Sequence, residues 1–141
     1  MRPAPHRVIT ASTGLVAVGI LTAGVWAMAA PRSFYLTIAP YSPYSQHLIR
    51  DIGAFQIGLG ACLVAGLLVR HALLTVLAGN TAAAVAHSVS HFVDRSAGHA
   101  SDPATYGAVA VLLSLLTLCL WATNRTPDKP TSATPNQGDP A

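Results

Sequence analysis

Residues 52–93 read IGAFQIGLGACLVAGLLVRHALLTVLAGNTAAAVAHSVSHFV. Ile52–Val69 is 18 residues without a charge, Arg70-His71 is a two-residue interruption, and Ala72–Val93 is 22 more without a formal charge. Each run is close to the ~20 residues that carry a helix across a hydrocarbon core of about 30 Å. Lipid offers no partner to a free N–H or C=O, so a spanning segment of this kind must be helical. So short a turn between two spans forces them into an antiparallel hairpin, and the rest of the fold is read outward from it.

Two further runs complete the pattern: Val8–Ala30, with 23 residues, and Ala104–Ala122, with 19. Hydrophobic residues make up 52% of the 141-residue chain and charged residues 9%, against about 25% charged in ordinary soluble domains. The expected fold is therefore all-α, an integral membrane four-helix bundle within residues 1–124. Its spans are expected at about 8–30, 48–70, 72–94 and 103–122, with a short hairpin between the second and third. From residue 125 the chain reads RTPDKPTSATPNQGDPA. This composition buries no core, so 125–141 is expected to be a disordered tail. Ser45, after Pro43, is the expected N-cap of the second helix, and Asp102-Pro103 the expected N-cap and N1 of the fourth.

The lipid bilayer is the first partner implied. The net charge of +3 is small and the basic residues are scattered, which excludes a nucleic-acid surface. Seven Arg against one Lys in an alanine-rich chain suggests a GC-rich bacterial genome, and so a bacterial plasma membrane. With a cytoplasmic N-terminus the inner side holds Arg2, Arg7, Arg70, Arg125 and Lys129, and the outer side Arg32, Arg50 and Arg95. That bias predicts both termini in the cytoplasm. The first loop carries Phe34, Tyr35, Tyr41 and Tyr44, aromatics that settle at the headgroup level. MRPAPHR and Ala27-Met28-Ala29 also resemble a signal n-region and a cleavage site. The apolar run is longer than the usual 7–15 residues of a signal h-region, so an uncleaved first helix is expected.

Helices associate in lipid through close backbone approach. Ala54, Gly58, Cys62 and Gly66 recur every four residues along the second helix and are expected to form a packing ridge. Gly19, Ala23 and Ala27 on the first helix, and Ala78, Ala82 and Ala86 on the third, share the pattern. Cys62 and Cys119 lie in apolar runs with no CxxC pair, so both read as small buried hydrophobes.

The chemistry gathers in NTAAAVAHSVSHFVD, Asn80–Asp94. At 100° per residue, Asn80, His87, His91 and Asp94 fall within about 60° of one another. The hairpin brings the start of the second helix to the same membrane face, with His47, Arg50 and Asp51, and the outer loop adds His99 and Asp102. Two histidines at i,i+4 can ligate one metal, which makes His87, His91 and Asp94 candidate ligands, with Asp51 or His47 in support. The same cluster could dock a quinone head group or relay protons. The alternative is structural: interhelical hydrogen bonds, an Arg50–Asp51 pair anchoring a helix, and His91 at a helix C-terminus.

HLIRDIGAFQIGLG (47–60), with Arg50, Asp51, Gly53, Phe55, Gly58 and Gly60, and AHSVSHFVD (86–94), with His87 and His91, resemble small four-helix bacterial membrane proteins of the DoxX-like kind. The resemblance implies a multi-pass membrane protein, in some relatives associated with quinone-linked sulfur or thiol oxidation. The missing paired-cysteine motif departs from thiol chemistry of the chain's own. Three functions stay open: a non-enzymatic accessory or structural component, a redox accessory holding a metal ion or quinone through the cluster, and a small transporter subunit. A homo-oligomer or a membrane redox partner would suit each.

Overall fold

A computed structural model describes residues 4–96 and 99–125. The tail expected at 125–141 lies outside them except for Arg125, which is the last residue of a helix. Within the described residues the chain is all-α, with no strand. Helix α1 spans Ala4–Ala29, α2 Pro31–Thr37, α3 Gln46–Leu68, α4 Leu73–Val93 and α5 Asp102–Arg125, and a single 3₁₀ turn, Arg70–Ala72, joins α3 to α4. Four of these are long and apolar enough to cross a membrane, which marks a multi-pass membrane protein. Its lipid-exposed surface agrees: Leu15, Phe55, Leu68 and Val93 are all more than two-thirds exposed, a cost in water and none in hydrocarbon.

Helix boundaries follow local chemistry. The Ser45 hydroxyl accepts the Leu48 N–H at 3.3 Å and caps α3. Pro31 opens the short α2, where its missing N–H costs nothing. The Phe34 of α2 is buried edge-on against Trp26, with ring centroids 5.6 Å apart. This holds α2 on the end of α1 and sets the start of the following loop, residues 38–45.

The helices form two tightly packed antiparallel pairs, α1 with α3 and α4 with α5, with smaller contacts between the pairs. Ile9, Ala17, Leu63, Leu73, Leu77, Leu113, Leu116 and Leu120 make one core at the end that carries the 3₁₀ turn. Ala27, Phe34 and Ile49 make a second at the opposite end. In the α1–α3 pair a Cβ on Gly24 would stand 2.9 Å from the Gly53 carbonyl oxygen, and one on Gly53 would stand 2.8 Å from that of Gly24. The two backbones touch, and no larger residue fits at either position.

The expected ridge on the second helix does not make this contact. Ala54, Gly58 and Cys62 are exposed, nothing lies within 4 Å of a Cβ placed at Gly58, and only Gly66 packs inward, against Leu73 and Val76. The face in use is rotated by one residue to Gly53 and Gly60, which receive Gly24 and Leu21 of α1. The expected stripes on the other helices shift in the same way. Gly19 and Ala78, Ala82 and Ala86 face outward, while Ala27 is fully buried. In so alanine- and glycine-rich a chain, four-residue spacing of small residues occurs on more than one face. The partner's glycine decides which face is used. Cys62 and Cys119 are free and exposed rather than buried.

Candidate functional site

The α4–α5 pair is joined by polar contacts as well as apolar ones. Thr81 and Thr117 share a hydrogen bond of 2.8 Å across the interface. The Thr117 hydroxyl also reaches the Leu113 carbonyl one turn back, at 2.8 Å. Small side chains keep the helices close where Gly107 faces Ser88. This register sets the first turns of α5 against the last turns of α4, and the cluster forms there.

His87 and His91, one turn apart on α4, bring their Nε2 atoms to 3.2 Å. The His91 ring lies flat on Tyr106 of α5, with centroids 3.9 Å apart and planes at 17°. His87 meets the same ring edge-on at 4.7 Å. On its other side His91 Nδ1 is 2.8 Å from the Tyr41 hydroxyl, and that hydroxyl donates to Asp102 Oδ2 at 3.1 Å. Asp102 also accepts the His99 backbone N–H at 3.0 Å and stands 3.8 Å from His91 Nδ1. His91 and Asp102 are both buried.

Donor and acceptor roles follow from counting protons. Tyr41 has one hydroxyl proton, and an ionised carboxylate only accepts. The phenol therefore gives its proton to Asp102 and accepts from His91 Nδ1–H. With His91 in its neutral form, its Nε2 lone pair takes the Nε2–H of His87, and the contacts run in one direction from His87 through His91 and Tyr41 to Asp102. Burial, and then the hydrogen bond to Asp102, pushes the Tyr41 phenol up to about 12, so the group rests as a phenol rather than a phenolate at any physiological pH.

The structure sorts the residues expected from sequence. His87 and His91 belong to the site, and Asp102 enters it as an acceptor rather than as the N-cap of α5. His99 contributes only its backbone. Asp94 is exposed and stands apart from the line. Asn80 is buried and donates to the Val76 carbonyl of its own helix at 3.1 Å. His47 and Asp51 pair with each other at 3.4 Å, with side chains 89% and 48% exposed, and Arg50 lies beside Gln46. Among the described residues no hydrogen bond or ion pair joins these α3 groups to His87 or His91. They bond within their own helix, and α3 packs mainly on α1 while α4 packs mainly on α5. No group of three or more His, Cys, Asp or Glu side chains placed to hold a metal ion occurs among the described residues, so His87, His91 and Asp94 do not assemble as a ligand set.

Two members were missed from sequence. Tyr106 follows Asp102 by one turn, so the same i,i+4 signal that paired the histidines marked it. Tyr41 lies in an aperiodic loop, and nothing in its sequence surroundings separates it from Tyr35 or Tyr44.

Compared with protein-family models, curated proteins and solved structures, the chain has no significant match.

Proposed function

We propose that this is a non-enzymatic accessory protein of the bacterial plasma membrane, with both termini cytoplasmic, that passes protons between a membrane-embedded redox partner and the aqueous face through His87, His91, Tyr41 and Asp102. One observation carries the reading: the unbroken sequence of contacts at 3.2, 2.8 and 3.1 Å from His87 to Asp102. Chains of His and carboxylate groups inside membranes are the usual material of proton relays. A proton reaching the outer nitrogen of His87 displaces the Nε2 proton to His91, the Nδ1 proton to Tyr41 and the phenolic proton to Asp102, with no group left doubly charged.

The line reaches only about a third of the way into a hydrocarbon core of about 30 Å. His87 lies seven residues before Asp94, about 10 Å down the helix. Below it Asn80 and Ser114 bond to carbonyls of their own helices and offer no continuation. His87 is exposed on the bundle surface, where a bare imidazole would face hydrocarbon at considerable cost. A proton-carrying group at that depth, such as the head group of a quinol, removes that cost and gives the line an inner terminus. The DoxX-like resemblance points the same way.

The test is the exchange rate of the His87 Nε2 proton with water, read by solid-state NMR of the protein in bilayers. The relay predicts fast exchange, slowed about tenfold in Tyr41→Phe and in Asp102→Asn with neighbouring backbone amides unaffected. A rate indifferent to both substitutions overturns it.

A second reading has its own support. The 3.2 Å between the two Nε2 atoms is close to the separation of two ligands of a tetrahedral ion bound at about 2.0–2.1 Å. His87 and His91 could hold such an ion, with water completing its shell. Metal analysis of the purified protein against a His87→Ala/His91→Ala double variant separates this reading from the relay.

A further inference from the structure

At the membrane face opposite the cluster, the described charged side chains are all basic. Arg7 begins α1, Arg70 stands in the 3₁₀ turn, and Arg125 ends α5, with His6 and His71 beside them. The three described carboxylates, Asp51, Asp94 and Asp102, all belong to the other face. Here a groove of about 460 Å³ opens between α4 and α5, lined by Leu74, Thr75, Ala78, Thr117, Leu118 and Trp121. It is the size of an ordinary small-molecule site, open along its length to the surrounding lipid, and almost wholly apolar. Arg125, one turn beyond the groove residue Trp121, stacks its guanidinium 4.0 Å from the centre of that ring. Arg70 precedes the first groove residue, Leu74, by one turn.

We propose that this groove binds an anionic phospholipid, with one acyl chain laid between α4 and α5 and the phosphate held by Arg125 and Arg70. The chemistry is complementary at both ends. The lining offers an acyl chain a surface that is hydrocarbon apart from two threonines, of which Thr117 has its hydroxyl already bonded to Leu113 and Thr81. The mouth offers a phosphate two guanidiniums with no described carboxylate near them to compete. Stacking on Trp121 fixes the Arg125 plane, so less freedom is lost when it binds an oxyanion. A zwitterionic lipid fills the groove equally well but brings its own cation to the arginines. The preference therefore rests on the headgroup charge.

The chain's two tryptophans, Trp26 and Trp121, report separately. Trp26→Phe protein, with Trp121 alone, is reconstituted in phosphatidylcholine vesicles, and fluorescence quenching is followed as dibrominated-acyl phosphatidylglycerol or dibrominated-acyl phosphatidylcholine replaces host lipid. Expected is half-quenching at a roughly 25-fold lower mole fraction of the anionic lipid, about fivefold for each of the two arginines. The preference should shrink about fivefold for each arginine removed in Arg70→Gln and Arg125→Gln, and it should be absent in the Trp121→Phe protein read through Trp26. Equal quenching by the two lipids overturns the proposal. So does a preference that survives the double substitution, or one of the same size at Trp26, which would reflect the whole lipid annulus.

Discussion

The Tyr41 hydroxyl donates to Asp102 Oδ2 across 3.1 Å and so ties the loop between α2 and α3 to the first turn of α5. One side of that bond belongs to the α1–α3 half of the molecule and the other to the α4–α5 half. Together with the Tyr41–His91 contact at 2.8 Å, it is a polar fastening between the two halves.

Removing the hydroxyl should loosen that fastening. Tyr41→Phe leaves His91 Nδ1 and Asp102, both buried, short of a partner, which costs about 1–3 kcal/mol. Thermal or denaturant unfolding in detergent should register the loss. The Tyr106→Phe variant serves as its control, because that ring acts on His91 by stacking.

Alkaline pH should act through the same phenol. Folded Tyr41 titrates at about 12 against an ordinary value of 10.0. Below pH 10 both states keep the proton and stability is flat with respect to this group. Between pH 10 and 12 the unfolded chain sheds it and the folded chain does not, so stability falls with rising pH. Denaturation midpoints from pH 8 to 12 should decline more steeply in wild type than in Tyr41→Phe, and parallel curves would contradict this.

The glycine contact makes a contrasting pair. Gly53→Ala places a methyl 2.8 Å from a backbone oxygen that cannot swing aside, and forcing the helices apart should cost about 1–3 kcal/mol. Gly58→Ala, on the same helix with open space around it, should be neutral or stabilising by up to about 1 kcal/mol. Unfolding of the two variants side by side gives the comparison.

The His47–Asp51 pair should matter little. Its exposure places it among surface ion pairs worth about 0–1 kcal/mol. His47→Ala should change stability within that range and leave the His87 proton-exchange rate as it is in wild type.

Much of this was legible in the chain. Charge-free runs near twenty residues located four helices, the Arg70-His71 interruption gave the hairpin, and Ser45 announced its cap. His87 and His91 were paired by spacing alone. What spacing could not give was azimuth. Gly53 and Gly58 look alike in a one-dimensional pattern, and only the crossing point with Gly24 distinguishes them. For the same reason spacing could not say whether His47, Arg50 and Asp51 bond to the histidines of α4 or, as found, within α3. Tyr41 depends on the path of a loop whose position is set by Phe34 packing on Trp26, a tertiary event with no periodic trace.

The mutual contact of Gly24 and Gly53 has an evolutionary corollary. Lipid-facing positions on α3 can drift among apolar residues, and the groove lining can be traded methyl for methyl. Where two main chains touch there is no smaller side chain to retreat to, and a change on one helix cannot be compensated on the other. Distant kin of this chain, whatever their overall divergence, should keep that glycine pair in register, and it offers a better fingerprint for gathering them than the histidines do.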